Sequence, residues 1–399
     1  MTLAQKLALS VLLLPLCAVG MAAVAPAQQA SPPSLAELRA EVQARADAQA
    51  YPIAGIDKND VRAVLATLTS TNREEWAAAW AKVGDSHAKQ AGAAYDPAVA
   101  RAHWRQAWLD YQFGAWPAPT TDGKCADYGK AVNAFRHYAL LLDPPAETVR
   151  IPFDGKAIVG LLQLPKSPRP APVVMSIGGL DEYKEFAIEH DGAFPQAGLG
   201  LLALDMPGTG EAPVPMDFGS ERMISKAIDY LRTRNDVDPR RIAISGTSAG
   251  GYWSALTAYQ ERSRIRAAVV RGAPIDGYFH ASWQRKSWST NEYLFGLKEA
   301  RFFVYGFKPE QDRAFLDRLK QFSLKRRGVL AEPSAPMLVV NGAKDTQVPI
   351  ADLYLLLSTG SPKFAWVNPE GGHTGRSKDF PDARIVSDVV LPWLESMLR

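Results

Sequence analysis

The sequence predicts an α/β fold, in which a mainly parallel sheet carries helices on both faces, preceded by an all-helical N-terminal domain. Apolar residues recur at helical spacing up to Pro144-Pro145, whereas short apolar runs alternate with amphipathic segments beyond it. One run, Arg241–Tyr252 (RIAISGTSAGGY), passes directly from a buried strand through a glycine-rich turn into a helix-compatible segment. We therefore expect a helical domain over residues 28–144 and an α/β domain over residues 145–399.

The composition is typical of a globular protein with one large or two modest domains. Of 399 residues, 47% are hydrophobic and 22% are charged, which supplies enough apolar surface for a sizeable core. The 45 basic and 42 acidic residues give a formal net charge of +3 and form no block of one sign. Nucleic-acid binding normally requires clustered basic residues, so we expect no nucleic-acid partner.

The first 27 residues have the pattern of a removable signal peptide. Lys6 supplies a positive charge, Leu7–Leu16 an apolar stretch, and Ala25-Pro26-Ala27 a small-residue cleavage site. The apolar stretch is too short to span a bilayer, so we expect no stable membrane insertion and a periplasmic or secreted protein. Cleavage after Ala27 leaves Cys125 as the single cysteine, which we expect to be a buried hydrophobe.

Amphipathic helices are predicted throughout the N-terminal domain, where Trp76 and Trp80 lie four residues apart, as do Trp104 and Trp108. Such aromatic stripes normally pack in a core, although a few of these side chains could line the entrance of a site. The predicted helices are Leu35–Ala48, Asn59–Leu68, Asn72–Ala91, Pro97–Trp116 and Cys125–Leu142.

Histidines in this domain show no metal-binding pattern. His87, His103 and His137 have no second ligand three or four residues later in a metal-binding combination. We therefore predict no metal site.

Strands and helices alternate in the second domain, apart from one long interval of about residues 275–330, where connections are normally short. That interval is aromatic and then charged, and we interpret it as a lid-like insertion over the strand ends. The predicted strands are Thr148–Pro152, Ala157–Leu164, Val173–Ile177, Leu199–Leu204, Arg241–Ser245, Ala267–Val270, Met337–Val340 and Phe364–Val367. The predicted helices include Ser220–Arg234 and a closing helix, Ala383–Leu398.

The strand, turn and helix around Ser248 form a G-x-S-x-G motif in the context that presents a nucleophilic serine. His373 lies in a glycine-rich loop after the last strand, where it can act as the base. Asp345 follows the preceding strand and can orient that histidine, which gives the chain order Ser, Asp, His. Asp205, at the end of an earlier strand, is an alternative for the acid.

An oxyanion-binding pair of backbone amides is predicted beside the serine. One should come from Ala249 and the other from Leu180, or alternatively Gly179, in the loop after Val173–Ile177. Asp181 lies in the same loop. It could simply favour the start of the next helix, or it could contact substrate.

Several segments resemble the α/β-hydrolase superfamily, and within it the group of FrsA-type esterases and 2,6-dihydroxypseudooxynicotine hydrolase. They are the Trp-rich N-terminus, Ile177–Glu185 (IGGLDEYKE), Asp205–Glu211 (DMPGTGE) and Val237–Ile242 (VDPRRI). The resemblance implies that the helical domain covers the site and that no metal or organic cofactor is used. Members include carboxylesterases and an aryl-ketone carbon–carbon hydrolase with an additional catalytic acid, whose place Asp181 takes here.

Three functions are compatible with these residues. The first is a secreted serine hydrolase of carboxylic esters, acting on a small-molecule ester through an acyl-enzyme. The second is cleavage of a carbon–carbon or peptide bond by the same Ser248, His373 and Asp345. The third is a non-catalytic binding protein on a hydrolase fold. The sequence indicates neither the substrate nor the oligomeric state.

Overall fold

An eight-stranded sheet forms the centre of the fold in the computed structural model, which describes residues 33–360 and 362–399. The strand order is β1-β2-β4-β3-β5-β6-β7-β8. The strands are β1 (Ala146–Phe153), β2 (Lys156–Gln163), β3 (Ala171–Ile177), β4 (Gly200–Leu204), β5 (Val237–Thr247), β6 (Ala267–Arg271), β7 (Met337–Gly342) and β8 (Lys363–Asn368).

The sheet is antiparallel at one edge and parallel elsewhere. β1 and β2 form a hairpin around Asp154-Gly155, and β2 pairs antiparallel with β4. From β4 to β8 every neighbouring pair is parallel, with β3 between β4 and β5. The loops that follow these six strands therefore meet at a single edge of the sheet, where ligands bind in open α/β sheets.

Helices precede the sheet and then alternate with its strands. The N-terminal helices are α1 (Leu35–Ala48), α2 (Lys58–Thr67), α3 (Arg73–Ala93), α4 (Pro97–Ala115) and α5 (Asp122–Leu140). The others are α6 (Lys184–His190), α7 (Ala193–Gln196), α8 (Arg222–Thr233), α9 (Ala249–Gln260), α10 (Ala281–Trp288), α11 (Leu297–Val304), α12 (Asp312–Leu319), α13 (Ile350–Leu357), α14 (Asp382–Ile385) and α15 (Leu391–Leu398). Within the described ranges, no helix has both the length and the apolar character needed to cross a bilayer.

Side chains of the parallel strands alternate between two buried clusters, one on each face of the sheet. In β3, Val173 and Met175 belong to the cluster that includes α8, α9 and α11, whereas Val174 belongs to the other. That second cluster continues through α6 into the tryptophans of α3 and α4. Period-two alternation explains how a wholly buried strand supplies both cores.

The change from helices to strands falls between Leu140 and Ala146, close to the expected boundary at Pro144. The helical segment nevertheless shares its buried cluster with one face of the sheet, and the described residues belong to one compact unit. A separate domain over residues 28–144 stays a prediction. The predicted signal peptide, residues 1–27, lies outside the described residues.

Two local expectations differ from the structure. Cys125 is exposed rather than buried, because it lies on the outer side of α5. The closing helix contains a π-helical segment, Val386–Val390, between α14 and α15, since Pro392 lacks the amide that a regular helix would use there.

Candidate active site

Ser248 stands at the sharp turn between β5 and α9, with φ 56° and ψ −123°. A non-glycine residue rarely adopts this conformation, which costs about 1–3 kcal/mol and persists only where the surroundings impose it. The flanking glycines allow the backbone to pack closely around Ser248, and this packing imposes the conformation. A Cβ on Gly246 would lie 2.2 Å from the Gly250 carbonyl oxygen, and one on Gly250 would lie 2.2 Å from that of Gly178.

His373 follows β8 and reaches across the strand ends to the serine. Its Nε2 lies 2.8 Å from Ser248 Oγ, and its Nδ1 lies 2.8 Å from Asp345 Oδ2. Its loop crosses directly over the end of β7, where a Cβ on Gly342 would lie 2.1 Å from the Gly371 carbonyl oxygen. The structure thus brings together the three residues that the sequence singled out as nucleophile, base and acid.

The Asp345 carboxylate, which lies in the loop after β7, is fixed by four hydrogen bonds. Oδ1 accepts from the amides of Gln347 (2.7 Å) and Val348 (3.0 Å). Oδ2 accepts from Asn341 Nδ2 at 2.9 Å and faces His373 Nδ1. These bonds hold the carboxylate ionised and aimed at the imidazole.

The charges of this pair stabilise one another. Burial would lower the pKa of His373, but the Asp345 carboxylate raises that pKa above its ordinary value. Burial would raise the pKa of Asp345, but His373 and the hydrogen bonds from Val348 and Asn341 hold it below its ordinary value. The imidazolium that forms when a histidine accepts a proton is therefore favoured here.

Two backbone amides next to the serine have no internal acceptor. The N–H groups of Leu180 and Ala249 make no hydrogen bond to any of the described residues, and both residues line the cavity at Ser248. Gly179 brings the loop close, since a Cβ on it would lie 3.1 Å from Ser248 Cβ. Free amides converging on a nucleophile are the arrangement that stabilises an oxyanion.

The cavity at Ser248 is small, and both polar and apolar side chains line it. A second, more apolar cavity adjoins it and shares Leu180, Ala249, Pro274 and Tyr278. The residues lining the first are Leu180, Ser248, Ala249, Pro274, Tyr278, Tyr293, Arg301, Gln347, Val348 and His373. The insertion over residues 275–330 supplies three of them.

Asp205 does not contact His373, in contrast to the alternative left open by the sequence. Its Oδ1 accepts from the Lys184 amide and its Oδ2 from Lys184 Nζ, both at 2.9 Å. Glu185 also pairs with the Lys184 ammonium at 2.8 Å. This buried ion cluster ties the end of β4 to the start of α6, which is a structural role.

The family model described as Esterase FrsA-like matches residues 41–364 of this chain. The chain belongs to the FrsA-like esterase family. Membership of this family, together with the sheet and the elbow at Ser248, makes the protein a hydrolase of the α/β type.

Relatives of this FrsA-like protein are similar over most of its length. Esterase FrsA of Vibrio vulnificus (strain YJ016) is 25% identical over 300 residues, covering 72% of this chain and 69% of that one. The 20-hydroxy-prefusarin hydrolase FUS2 of Gibberella moniliformis is 26% identical over 401 residues, covering 86% and 93%. The crystal structure of 2,6-dihydroxy-pseudo-oxynicotine hydrolase superposes with a TM-score of 0.71 at 20% identity, covering 90% and 95%, which shows a shared fold.

Asp181 of the FrsA-like chain is buried beside the oxyanion loop. Its Oδ2 accepts hydrogen bonds from the Tyr51 hydroxyl and from Trp116 Nε1, the latter at 2.7 Å. Burial raises its pKa, against the opposing effect of these bonds and of one from Tyr293. The carboxylate thus links the N-terminal helices to the loop, and it is absent from the described residues that line the two cavities.

Several residues of this site carry no sequence signal. Tyr278 and Tyr293 belong to the aromatic half of the insertion. The sequence predicted that this insertion covers the site, but not which of its residues line the cavity. Arg301 is one arginine in a charged segment, and Gln347 lies two residues after the acid; neither spacing nor motif distinguishes them. Only the tertiary structure brings these side chains to Ser248.

One group in residues 33–360 and 362–399 has side chains close enough to share a cation. Ligand atoms of Asp60, His87 and Asp110 lie within 4.8 Å of one another in the N-terminal helices. Both ring nitrogens of His87 already have neighbours, Asp60 Oδ2 at 3.0 Å and His103 Nδ1 at 2.9 Å. Hydrogen bonding therefore accounts for this histidine without a metal.

Proposed function

We propose that this protein is a serine hydrolase that cleaves carboxylic esters of small molecules through an acyl-enzyme. The observation that carries the proposal is the continuous hydrogen-bonded line from Asp345 through His373 to Ser248, with both distances at 2.8 Å. A serine at φ 56° between β5 and α9 adds support, because the strain keeps its Oγ facing the cavity.

The reaction follows from these contacts. Ser248 Oγ attacks the ester carbonyl while His373 Nε2 accepts the serine proton. The amides of Leu180 and Ala249 stabilise the negative charge that develops on the carbonyl oxygen. The imidazolium then gives its proton to the leaving alcohol, and water, deprotonated by the same His373, releases the acid and regenerates the serine.

Hydrolysis of 4-nitrophenyl acetate with pre-steady-state detection tests this proposal. The purified protein should release a burst of 4-nitrophenol equal to the enzyme concentration if the acyl-enzyme accumulates. Ser248→Ala should lower turnover by at least about 10⁴-fold, because only residual binding and oxyanion effects remain. Ser289→Ala, at an exposed serine of the insertion, is the matched control and should behave as wild type. Equal turnover by Ser248→Ala would refute the mechanism.

We also propose that the protein is exported and that cleavage occurs after Ala27. The charged, apolar and small-residue segments of residues 1–27 support this. N-terminal sequencing of protein recovered from the periplasm or medium should begin at Gln28. Recovery of the full-length chain from the cytoplasm alone would contradict export.

A further inference from the structure

Arg301 is a buried cation in the wall of the cavity at Ser248. It lies on α11, within the insertion, and the residue is 2% exposed. It lines the same cavity as Ser248 and His373. A guanidinium in this position lies beside the space that a substrate would occupy and is shielded from water.

Its hydrogen-bond partners are all neutral. Nη1 donates to Gln284 Oε1 at 2.8 Å and to Ser287 Oγ at 2.7 Å, and Nη2 donates to Gln347 Oε1 at 3.0 Å. No carboxylate of the described chain comes within 4.0 Å of its nitrogens. The positive charge is therefore held in place but not neutralised.

The two glutamines are fixed with their oxygens toward the guanidinium. Gln284 Nε2 donates to the Tyr278 carbonyl at 2.5 Å, and Gln347 Nε2 donates to Thr290 Oγ1 at 2.6 Å. A guanidinium carries five N–H donors. Three of them are used here, and the Nε donor is buried with no partner in the described residues. One Nε and one Nη2 donor thus remain for a ligand.

Other buried cations of this chain behave differently. Lys184 pairs with Asp205 and Arg271 with Asp382. Lys124 has no carboxylate partner in the described ranges, but burial lowers its pKa to about 7, so it can lose its charge. Arginine cannot lose its proton in this way, and a buried charge without an anion is costly. Arg301 therefore keeps a charge that a bound anion would offset.

We propose that Arg301 binds a carboxylate carried by the substrate, so that the preferred substrates are acidic esters. This inference rests on the proposed ester hydrolysis at Ser248. A carboxylate matches the single charge and the two remaining donors, because planar guanidinium and carboxylate groups pair through two hydrogen bonds. A phosphate dianion would bring a second negative charge into this small cavity, where Arg301 is the one permanently charged cation among the described lining residues.

Two pairs of esters test the proposal, each comparing a carboxylate with a neutral counterpart. In the first the acid is on the acyl side, as 4-nitrophenyl hemiglutarate against 4-nitrophenyl pentanoate. In the second it is on the alcohol side, as 4-acetoxybenzoate against its methyl ester. The wild type should hydrolyse the acidic member of at least one pair about 10- to 100-fold better in kcat/KM, the range expected for charge-assisted hydrogen bonds.

Arg301→Met should abolish that preference, lowering the acid-to-neutral ratio of kcat/KM by about 10- to 100-fold. Arg285→Met is the matched control, since Arg285 is exposed on α10 and its loss changes the net charge equally. The control should leave the ratio unchanged. Comparing substrates on the same variant removes any general loss of activity from the result.

Gln347→Glu provides a second variant that retains Arg301 and its contacts. The new carboxylate at position 347 would form an ion pair with the Arg301 guanidinium within the protein. The preference for acidic esters should therefore disappear although the insertion stays folded. A thermal melting curve equal to or above wild type would verify folding. Unchanged preference in both Arg301→Met and Gln347→Glu would overturn the proposal.

Failure of the inference and failure of the proposed function give different results. Hydrolysis of neutral and acidic esters at equal rates in both pairs would overturn the proposed carboxylate site but would still support ester hydrolysis at Ser248. If no ester is cleaved, calorimetric titration of Ser248→Ala with 4-acetoxybenzoate still measures binding. Binding that disappears in the Ser248→Ala/Arg301→Met double variant would support the site, and equal binding by both would overturn it.

Discussion

The buried Asp345 carboxylate contacts His373 at Nδ1, and this contact raises the pKa of the imidazole. Asp345 raises the pKa of the imidazole against the effect of burial, whereas its own carboxylate is held ionised by amides of its loop. The neutral imidazole is the form that can accept a proton from Ser248, so the same contact that stabilises the imidazolium moves the loss of activity to higher pH.

The rate of ester hydrolysis should therefore fall as pH decreases through a raised histidine pKa. We expect the midpoint of the acid limb of kcat/KM above the ordinary histidine value of about 6.5. Asp345→Asn should lower kcat by about 10⁴-fold and move the midpoint of the residual activity to lower pH, because the raising charge is gone. A midpoint below 6.5 in the wild type, or no acid limb, would contradict His373 as base.

At the scale of elements, the ion cluster of Lys184, Asp205 and Glu185 connects β4 to α6 below the oxyanion loop. The Lys184 and Asp205 side chains are each 1% exposed. Without the Asp205 charge, Lys184 still pairs with Glu185, but the hydrogen bonds that Asp205 accepts from the Lys184 amide and ammonium are weakened. Hydrogen bonds to charged groups contribute about 1.5–3 kcal/mol.

Asp205→Asn should consequently destabilise the fold by about 1.5–3 kcal/mol. Chemical denaturation monitored by tryptophan fluorescence would measure the free energy of unfolding. Asp143→Asn is the matched control, since Asp143 forms an exposed pair with Lys166 and its loss should cost about 0–1 kcal/mol. Equal effects of the two substitutions would show that the buried cluster adds no stability.

Local patterns predicted the elements that carry the reacting groups. The strand and turn around Ser248, and the loops of Asp345 and His373, depend on residues adjacent in sequence, and the parallel sheet then determines that they meet. The parts of the site that the sequence did not predict depend on packing between residues that are far apart in the chain. Arg301 is distinguished from other arginines by its hydrogen bonds to Gln284 and Gln347. No spacing in the sequence predicts these contacts.

For the whole molecule, the N-terminal helices and the sheet share one buried cluster. Trp76 and Trp108 belong to the same cluster as Val174 of β3, and Tyr51 and Trp116 bond to Asp181 beside the oxyanion loop. The family resemblance implies that the N-terminal helices cover the active site. They also have a structural role, because they shield an apolar face of the sheet from water.

A fragment comprising residues 145–399 should fail to fold cooperatively, since it would expose that face. Differential scanning calorimetry of the fragment against residues 28–399 would measure this. We expect a single transition for the longer chain and none for the fragment. A sharp fragment transition with retained ester hydrolysis would instead establish an independent catalytic domain.

The central claim, that Ser248 is a nucleophile activated by His373, is tested most directly by labelling with a fluorophosphonate probe followed by peptide mass spectrometry. The account predicts stoichiometric label on Ser248 in the wild type, none in Ser248→Ala, and strongly reduced labelling in His373→Ala. Label on a different residue, or equal labelling of wild type and Ser248→Ala, would contradict it.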